Sequence, residues 1–362
     1  KRPEARSDHA TAMKAYIQPL VQALQGYTPG EQPSDPGILK LNTNENPYPP
    51  SPAVQRALRD VEPDSLRLYP DPLSLALRRR IAALHGAAGP ELVFVGNGSD
   101  EGLALCTRAF VEDGGTIGYF DPSYSLYPVL ANIRGAALRP VALGPAFEWA
   151  MPADCRADLF FLTTPIAPTG IQYSRADVAA FCARFPGVVV LDEAYVDFAR
   201  ESFLDLALSR PNVLVLRTLS KSYALAGLRL GYIVGAAPLI AAMYKIKDSY
   251  NVDRLTQALA LAAIGDQDYM RGTAARICAT RDRTAAVLER LGCRVTPSQA
   301  NFLWVRPPRL PAADLYRRLR ERKILVRFFD GPRTSGFLRI TIGTDAQMEV
   351  LLEAMQAILP KG

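Results

Sequence analysis

The sequence predicts an α/β fold: a large, mostly parallel sheet covered by helices on both faces, followed by a smaller α+β unit. Three observations predict it. Short apolar runs rich in β-branched and aromatic residues recur between residues 92 and 216. Helical periodicity fills the gaps between them, and after about residue 235 the rhythm changes to long helices and a few short strands. The length, 362 residues, suits one large domain with a smaller one.

The first fifty residues are irregular. Pro29, Pro33, Pro36, Pro47, Pro49 and Pro50 break any helix there. A short amphipathic run at 13–24 precedes them, so this segment reads as an arm that rests on another surface. Helices are expected at 53–58 and 73–84. The apolar runs LVFV (92–95), TIGYF (116–120), DLFFL (158–162), VVVL (188–191) and VLVL (213–216) have the form of parallel strands buried on both faces. Helices are expected between them at 99–111, 123–133, 175–185 and 203–208. Beyond them come helices at 240–247, 254–264 and 270–291. Strands at 302–306, 324–329 and 337–343 follow, with helices at 313–322 and 347–358.

The composition narrows the function. The chain is 49% hydrophobic and 22% charged with a net charge of +6, which excludes disordered, collagen-like and disulfide-framework classes. Its five cysteines form no CxxC pair and are expected to be free thiols in a reducing compartment, the cytoplasm. Only His9 and His85 are present, which argues against a zinc site or a histidine-based triad. No metal is expected. No apolar stretch is long enough to span a membrane, and no secretion signal is evident. The chain begins with Lys rather than Met, so some N-terminal sequence is expected to be missing. The longest basic run is Arg78-Arg79-Arg80, so nucleic acid is not an expected partner.

In an open α/β sheet, ligands bind beyond the carboxyl ends of the strands. The residues ending each run therefore carry the functional reading. The run at 92–95 leads into Gly96-Asn97-Gly98-Ser99-Asp100-Glu101, where Ser99 or Asp100 can cap a helix. This is either a capped turn or an anion seat of free amides. The run at 188–191 ends in Asp192, which is costly to bury unless it faces a cation or serves as a cap. The run at 213–216 leads to Lys221, one of only eight lysines, with Arg229 eight residues further on. A lysine in a cleft can become an amine nucleophile; the alternative is a surface lysine with a buried stem. Acid, amine, arginine fork and helix end lie at one end of the sheet. Pyridoxal 5′-phosphate needs these four groups.

The motif TLSKSYALAG (218–227) resembles the lysine signature of class II pyridoxal-phosphate-dependent aminotransferases. LNTNENPYPPSP (41–52), RLYPDP (67–72), FVGNGSDE (94–101), DPSYSLY (121–127), VLDEAYVDF (190–198) and LRITIGT (338–344) resemble, in order, the histidinol-phosphate aminotransferases, a family of class I/II aminotransferases. GYTPGEQP (26–33) resembles that family's substrate-binding arm. The resemblance implies fold type I, with a seven-stranded large domain, a small α+β domain and a homodimer. It places the arm at 1–50, joining the small domain and the dimer interface, the large domain at 51–262 and the small domain at 263–362.

By motif, the resemblance implies Lys221 as the lysine that carries the cofactor and shuttles the proton. It implies Asp192 at the pyridine nitrogen, Tyr195 at the 3′-oxygen and Tyr124 stacked on the ring. Ser99, Asp100, Thr218, Ser220 and Arg229 would surround the phosphate, with Tyr69 reaching the neighbouring subunit's phosphate. Arg339 would bind a substrate α-carboxylate. Arg327, Tyr27 and Asn97 would lie at the substrate's phosphate-bearing end. The implied reaction is transamination between histidinol phosphate and 2-oxoglutarate/glutamate, a step of histidine biosynthesis. Rivals are a threonine-phosphate decarboxylase-like enzyme, an aromatic amino acid aminotransferase and, more remotely, a non-catalytic cofactor-binding regulator.

One motif departs from the family. An asparagine usually follows the fourth strand and donates to the cofactor's 3′-oxygen; here the segment is Thr164-Pro165-Ile166-Ala167-Pro168-Thr169-Gly170. Losing that bond to a charged oxygen costs about 1.5–3 kcal/mol. It is expected to raise the pKa of the lysine–cofactor linkage and to leave Tyr195 holding the oxygen largely alone. Ile166 becomes a candidate to face the pocket.

Overall fold

The computed structural model describes residues 16–360. The amphipathic run begins at residue 13, outside the described residues. Within the described part of that run only Pro19–Ala23 is helical, and none of its residues is buried. The arm also supplies a two-residue strand, β1 (Leu39–Lys40).

The main sheet has seven strands: β2 (Val93–Asn97), β3 (Thr116–Asp121), β4 (Ala137–Ala142), β5 (Leu159–Thr163), β6 (Val188–Asp192), β7 (Val213–Thr218) and β8 (Leu230–Gly235), in the order β2-β8-β7-β6-β5-β3-β4. All pairs from β7 to β4 are parallel, and β8 runs antiparallel to both its neighbours. Alternate side chains enter opposite cores. Val190, Leu214 and Phe161 pack with Leu103 and Cys106 on one face. Val189, Leu191 and Val215 pack with Phe181 and Phe203 on the other. This two-sided burial explains why these strands read as continuous apolar runs.

Two of the seven strands carry no such run. β4 is an edge strand, mostly exposed and interrupted by Pro140, which an edge tolerates because it needs no second ladder. β8 contains Gly231 and Gly235. A Cβ on Gly231 would lie 2.5 Å from the Ser99 backbone nitrogen, so this strand is pressed against the start of the helix Gly98–Phe110.

The remaining strands are β9 (Arg294–Thr296), β10 (Phe302–Arg306), β11 (Ile324–Leu325), β12 (Arg327–Phe328) and β13 (Leu338–Thr341). They form an antiparallel sheet, β12-β13-β10-β9, and a parallel pair of β1 with β11. The single strand expected at 324–329 is therefore two strands in two sheets, separated at Val326. An apolar run shows that a segment is buried but not how many partners it has. The helices Gln267–Arg290 and Asp345–Ile358 pack beside this sheet, the second opened by a Thr344–Gln347 capping box. All five cysteines are free.

Candidate active site

A cavity of about 640 Å³ opens beyond the carboxyl ends of β5, β6 and β7 and is closed by the arm and by β12 and β13. Thr163 and Asp192, the last residues of β5 and β6, are register partners on its floor. Asp192 is only 3% exposed. It accepts hydrogen bonds from the Tyr127 hydroxyl at 2.7 Å and the Ala194 amide at 3.1 Å. Even so, burial pushes its carboxyl pKa up to about 6. A buried acid in that condition is suited to a cationic ring nitrogen.

Lys221 Nζ enters the same cavity, donates to the Thr43 carbonyl at 3.1 Å and lies 6.0 Å from the centre of the Tyr195 ring. Burial, with Arg339 the next influence, lowers its pKa to about 8. That raises the share of free amine near neutral pH. Tyr195 stands edge-on to Phe302 and its hydroxyl accepts from Asn44 at 3.0 Å.

The third group is an anion seat. Thr218 donates to the Ser220 hydroxyl at 2.9 Å, and Arg229 reaches that hydroxyl at 3.4 Å and Asp100 at 3.5 Å. The helix expected to be capped by Ser99 or Asp100 begins instead at Gly98, with no side-chain cap. Gly98 has φ +78°, and a Cβ there would come within 2.6 Å of an Arg229 nitrogen. Glycine thus lets the guanidinium lie across an uncapped helix end whose amides are available to a phosphate. The Asp100 carboxylate does not suit an anion as a ligand. It orients Arg229 and accepts from the Tyr124 hydroxyl at 3.2 Å. Tyr124 in turn meets the Tyr27 ring edge-on at the cavity mouth.

Arg327 and Arg339 are directly opposite each other on β12 and β13, and both line the cavity. Like charges in cross-strand register destabilise a sheet unless an anion lies between or near them. Arg339 Nη2 donates to the Asn42 carbonyl at 2.8 Å, while its buried Nε has no partner. Burial holds its pKa below the usual arginine range. Arg327 donates to the carbonyls of Thr28 at 3.2 Å and Pro29 at 3.3 Å, tying β12 to the arm.

Two of the expected residues stand apart. Asn97 is exposed at the end of β2, and its backbone amide donates to Glu101. Tyr69 is 77% exposed and stacks on Tyr250 at 4.4 Å. Neither lines the cavity. Ile166, the candidate to face the pocket, is fully buried in the core that contains Trp304 and Phe160; Ala167 is the residue on the cavity wall. The turn points the larger apolar side chain inward, as burial favours. Sequence reasoning also missed Tyr127 and Asn44. Tyr127 falls three residues after Tyr124 in a quoted motif, and Asn44 lies within LNTNEN, so the signals were present but assigned no task.

The donor set fits pyridoxal 5′-phosphate: a buried acid for the ring nitrogen, a phenol beside it, an amine, and hydroxyls with an arginine at a free helix end. The family aminotransferase class I and II matches residues 36–355. The histidinol-phosphate aminotransferase of Geotalea uraniireducens is 46% identical over 340 residues, 93% of this chain and 98% of that protein. Histidinol-phosphate aminotransferase 2 of Thiobacillus denitrificans is 47% identical over 360 residues, 96% of this chain and 99% of that protein. The solved histidinol-phosphate aminotransferase of Sinorhizobium meliloti, in complex with pyridoxal-5′-phosphate, superposes with a TM-score of 0.82 at 26% identity, covering 95% of this chain and 98% of that one.

Proposed function

The chain belongs to the class I and II aminotransferases, pyridoxal-phosphate-dependent enzymes, and from that premise we propose that it exchanges the amino group of histidinol phosphate with 2-oxoglutarate. The single observation that carries the site assignment is the convergence of Lys221, Asp192, Arg229 and Arg339 on one cavity. The near full-length likeness to two histidinol-phosphate aminotransferases supports the substrate.

When bound, the cofactor supplies an electron sink that stabilises negative charge on the carbon bearing the amino group. Asp192 holds the ring nitrogen's proton through its carboxylate, which Tyr127 and the Ala194 amide keep in place. Ser99, Thr218, Ser220 and Arg229 would hold the phosphate, Tyr195 would donate to the 3′-oxygen and Tyr124 would lie against the ring. Lys221, with its lowered proton affinity, would take the proton from the substrate carbon. Arg339 binds the α-carboxylate of glutamate or 2-oxoglutarate. Histidinol phosphate has no such carboxylate, so its phosphate is assigned to Arg327 and Tyr27, which line the cavity, and not to Asn97, which does not.

The organisation follows the same reading: an arm at 1–50, a large domain at 51–262 and a small domain at 263–362. It is supported by the seven-stranded sheet lying within 93–235 and the four-stranded sheet within 294–341. A homodimer is supported by the exposed Tyr69, Leu66 and Leu68 beside one another and by the unburied arm helix. Tyr69 would then serve the partner's phosphate. Free cysteines support a cytoplasmic setting.

A purified holoenzyme tests the proposal. L-Glutamate and L-histidinol phosphate should each convert the cofactor absorbance in a half-reaction. O-Phosphothreonine decarboxylation without a keto acid, or a preference for phenylalanine, would assign the site otherwise.

A further inference from the structure

Tyr195 rests its phenol oxygen against an asparagine. Asn44 Nδ2 donates to Tyr195 Oη at 3.0 Å, and both residues are buried. Asn44 has little freedom of its own. Its backbone is left-handed at φ +58°. Its amide donates to the Thr341 hydroxyl at 2.9 Å, and its side-chain oxygen accepts from that hydroxyl at 3.0 Å. Its carbonyl accepts from Asn301 at 3.0 Å. Thr341 is two residues beyond Arg339 on β13, and Arg339 holds the Asn42 carbonyl at 2.8 Å. The strand that carries the anion-facing guanidinium therefore also fixes the amide that touches the phenol.

A hydroxyl oxygen that accepts one hydrogen bond keeps its proton for another acceptor, and accepting strengthens its donation. With Asn44 behind it, the Tyr195 proton is free for the cavity. Ala167, which also lines the cavity, offers no side-chain donor. We propose that Asn44 is a positioning residue for Tyr195, aiming the phenol proton at the cofactor's ring oxygen and coupling that aim to the strand that carries Arg339. The inference rests on the assignment of Tyr195 and the cofactor made above.

A spectrophotometric pH titration of the lysine-bound cofactor in the holoenzyme tests it. Asn44→Ala should raise the observed pKa by about 0.5 pH unit, because the phenol donates less strongly to the ring oxygen. Thr341→Val, which keeps Asn44 but releases its side chain, should shift it in the same direction. In a Tyr195→Phe background, Asn44→Ala should add no further shift. Should Asn44→Ala not fold, Thr341→Val alone and in the Tyr195→Phe background provides the same comparison. Unshifted titrations, or a full shift persisting in the Tyr195→Phe background, would overturn the proposal. Failure of the underlying reading looks different: wild-type protein mixed with pyridoxal 5′-phosphate would then show no absorbance band that Lys221→Ala removes.

Discussion

The Tyr127 hydroxyl donates to the Asp192 carboxylate at 2.7 Å while sharing a 2.5 Å contact with the Thr163 hydroxyl. The helix Leu126–Arg134 is thereby tied to the ends of β5 and β6. Tyr127 sits wholly inside the core and stacks on Phe161 at 4.8 Å, which fixes its position. Tyr127→Phe keeps the ring and removes one of the two donors to Asp192. A bond to a buried carboxylate contributes about 1.5–3 kcal/mol. Cofactor affinity, measured by fluorescence titration, should weaken by about tenfold or more.

Arg339 should discriminate between the two amino donors. On the proposed assignment its partly buried fork would take an α-carboxylate that glutamate has and histidinol phosphate lacks. Arg339→Gln should lower kcat/KM for glutamate by about 100-fold or more, in line with losing one partner of a buried charge pair. The half-reaction with histidinol phosphate should fall much less. Equal losses for both donors would remove Arg339 from the carboxylate site.

The lowered proton affinity of Lys221 can be read without the cofactor. Only the neutral amine reacts with an acylating reagent, so labelling should rise with pH and reach its midpoint near pH 8. A free lysine side chain in water titrates about two units higher. Mass spectrometry of the labelled apo protein separates the two.

The architecture was legible where burial was two-sided. β5, β6 and β7 are unbroken apolar runs because helices cover both faces. β4 was not legible, since an exposed edge with Pro140 lacks that signal, and β8 was hidden by two glycines required for close helix packing. Asp192, Lys221 and Arg229 could be singled out as polar residues following apolar runs. Arg327 and Arg339 could not be told from outward arginines of a half-exposed strand without the family resemblance. Asn44 and Tyr127 act on other side chains, and 151 residues separate Asn44 from Tyr195. Such a pairing is set by tertiary folding and leaves no local periodicity.

His85 gives the fold an acid limit. Its Nε2 lies 2.8 Å from the Tyr232 hydroxyl, and burial together with the nearby Arg217 lowers its pKa to about 3. In the unfolded chain it takes up a proton near pH 6.5, whereas the folded protein does so only near 3. Its stabilising contribution is therefore complete above pH 6.5 and is lost as pH falls toward 3. His85→Gln should flatten the pH dependence of unfolding between pH 6 and 4 by up to about 1.4 kcal/mol per pH unit. Denaturant titrations at several pH values measure that slope.

The most direct test of the central claim follows the cofactor absorbance of purified holoenzyme after addition of L-histidinol phosphate. The lysine-bound band should disappear as the amino group is transferred and return on addition of 2-oxoglutarate, with Lys221→Ala showing neither change at a comparable rate. A wild-type holoenzyme whose band is unmoved by L-histidinol phosphate, while another amine converts it fully, would contradict the account.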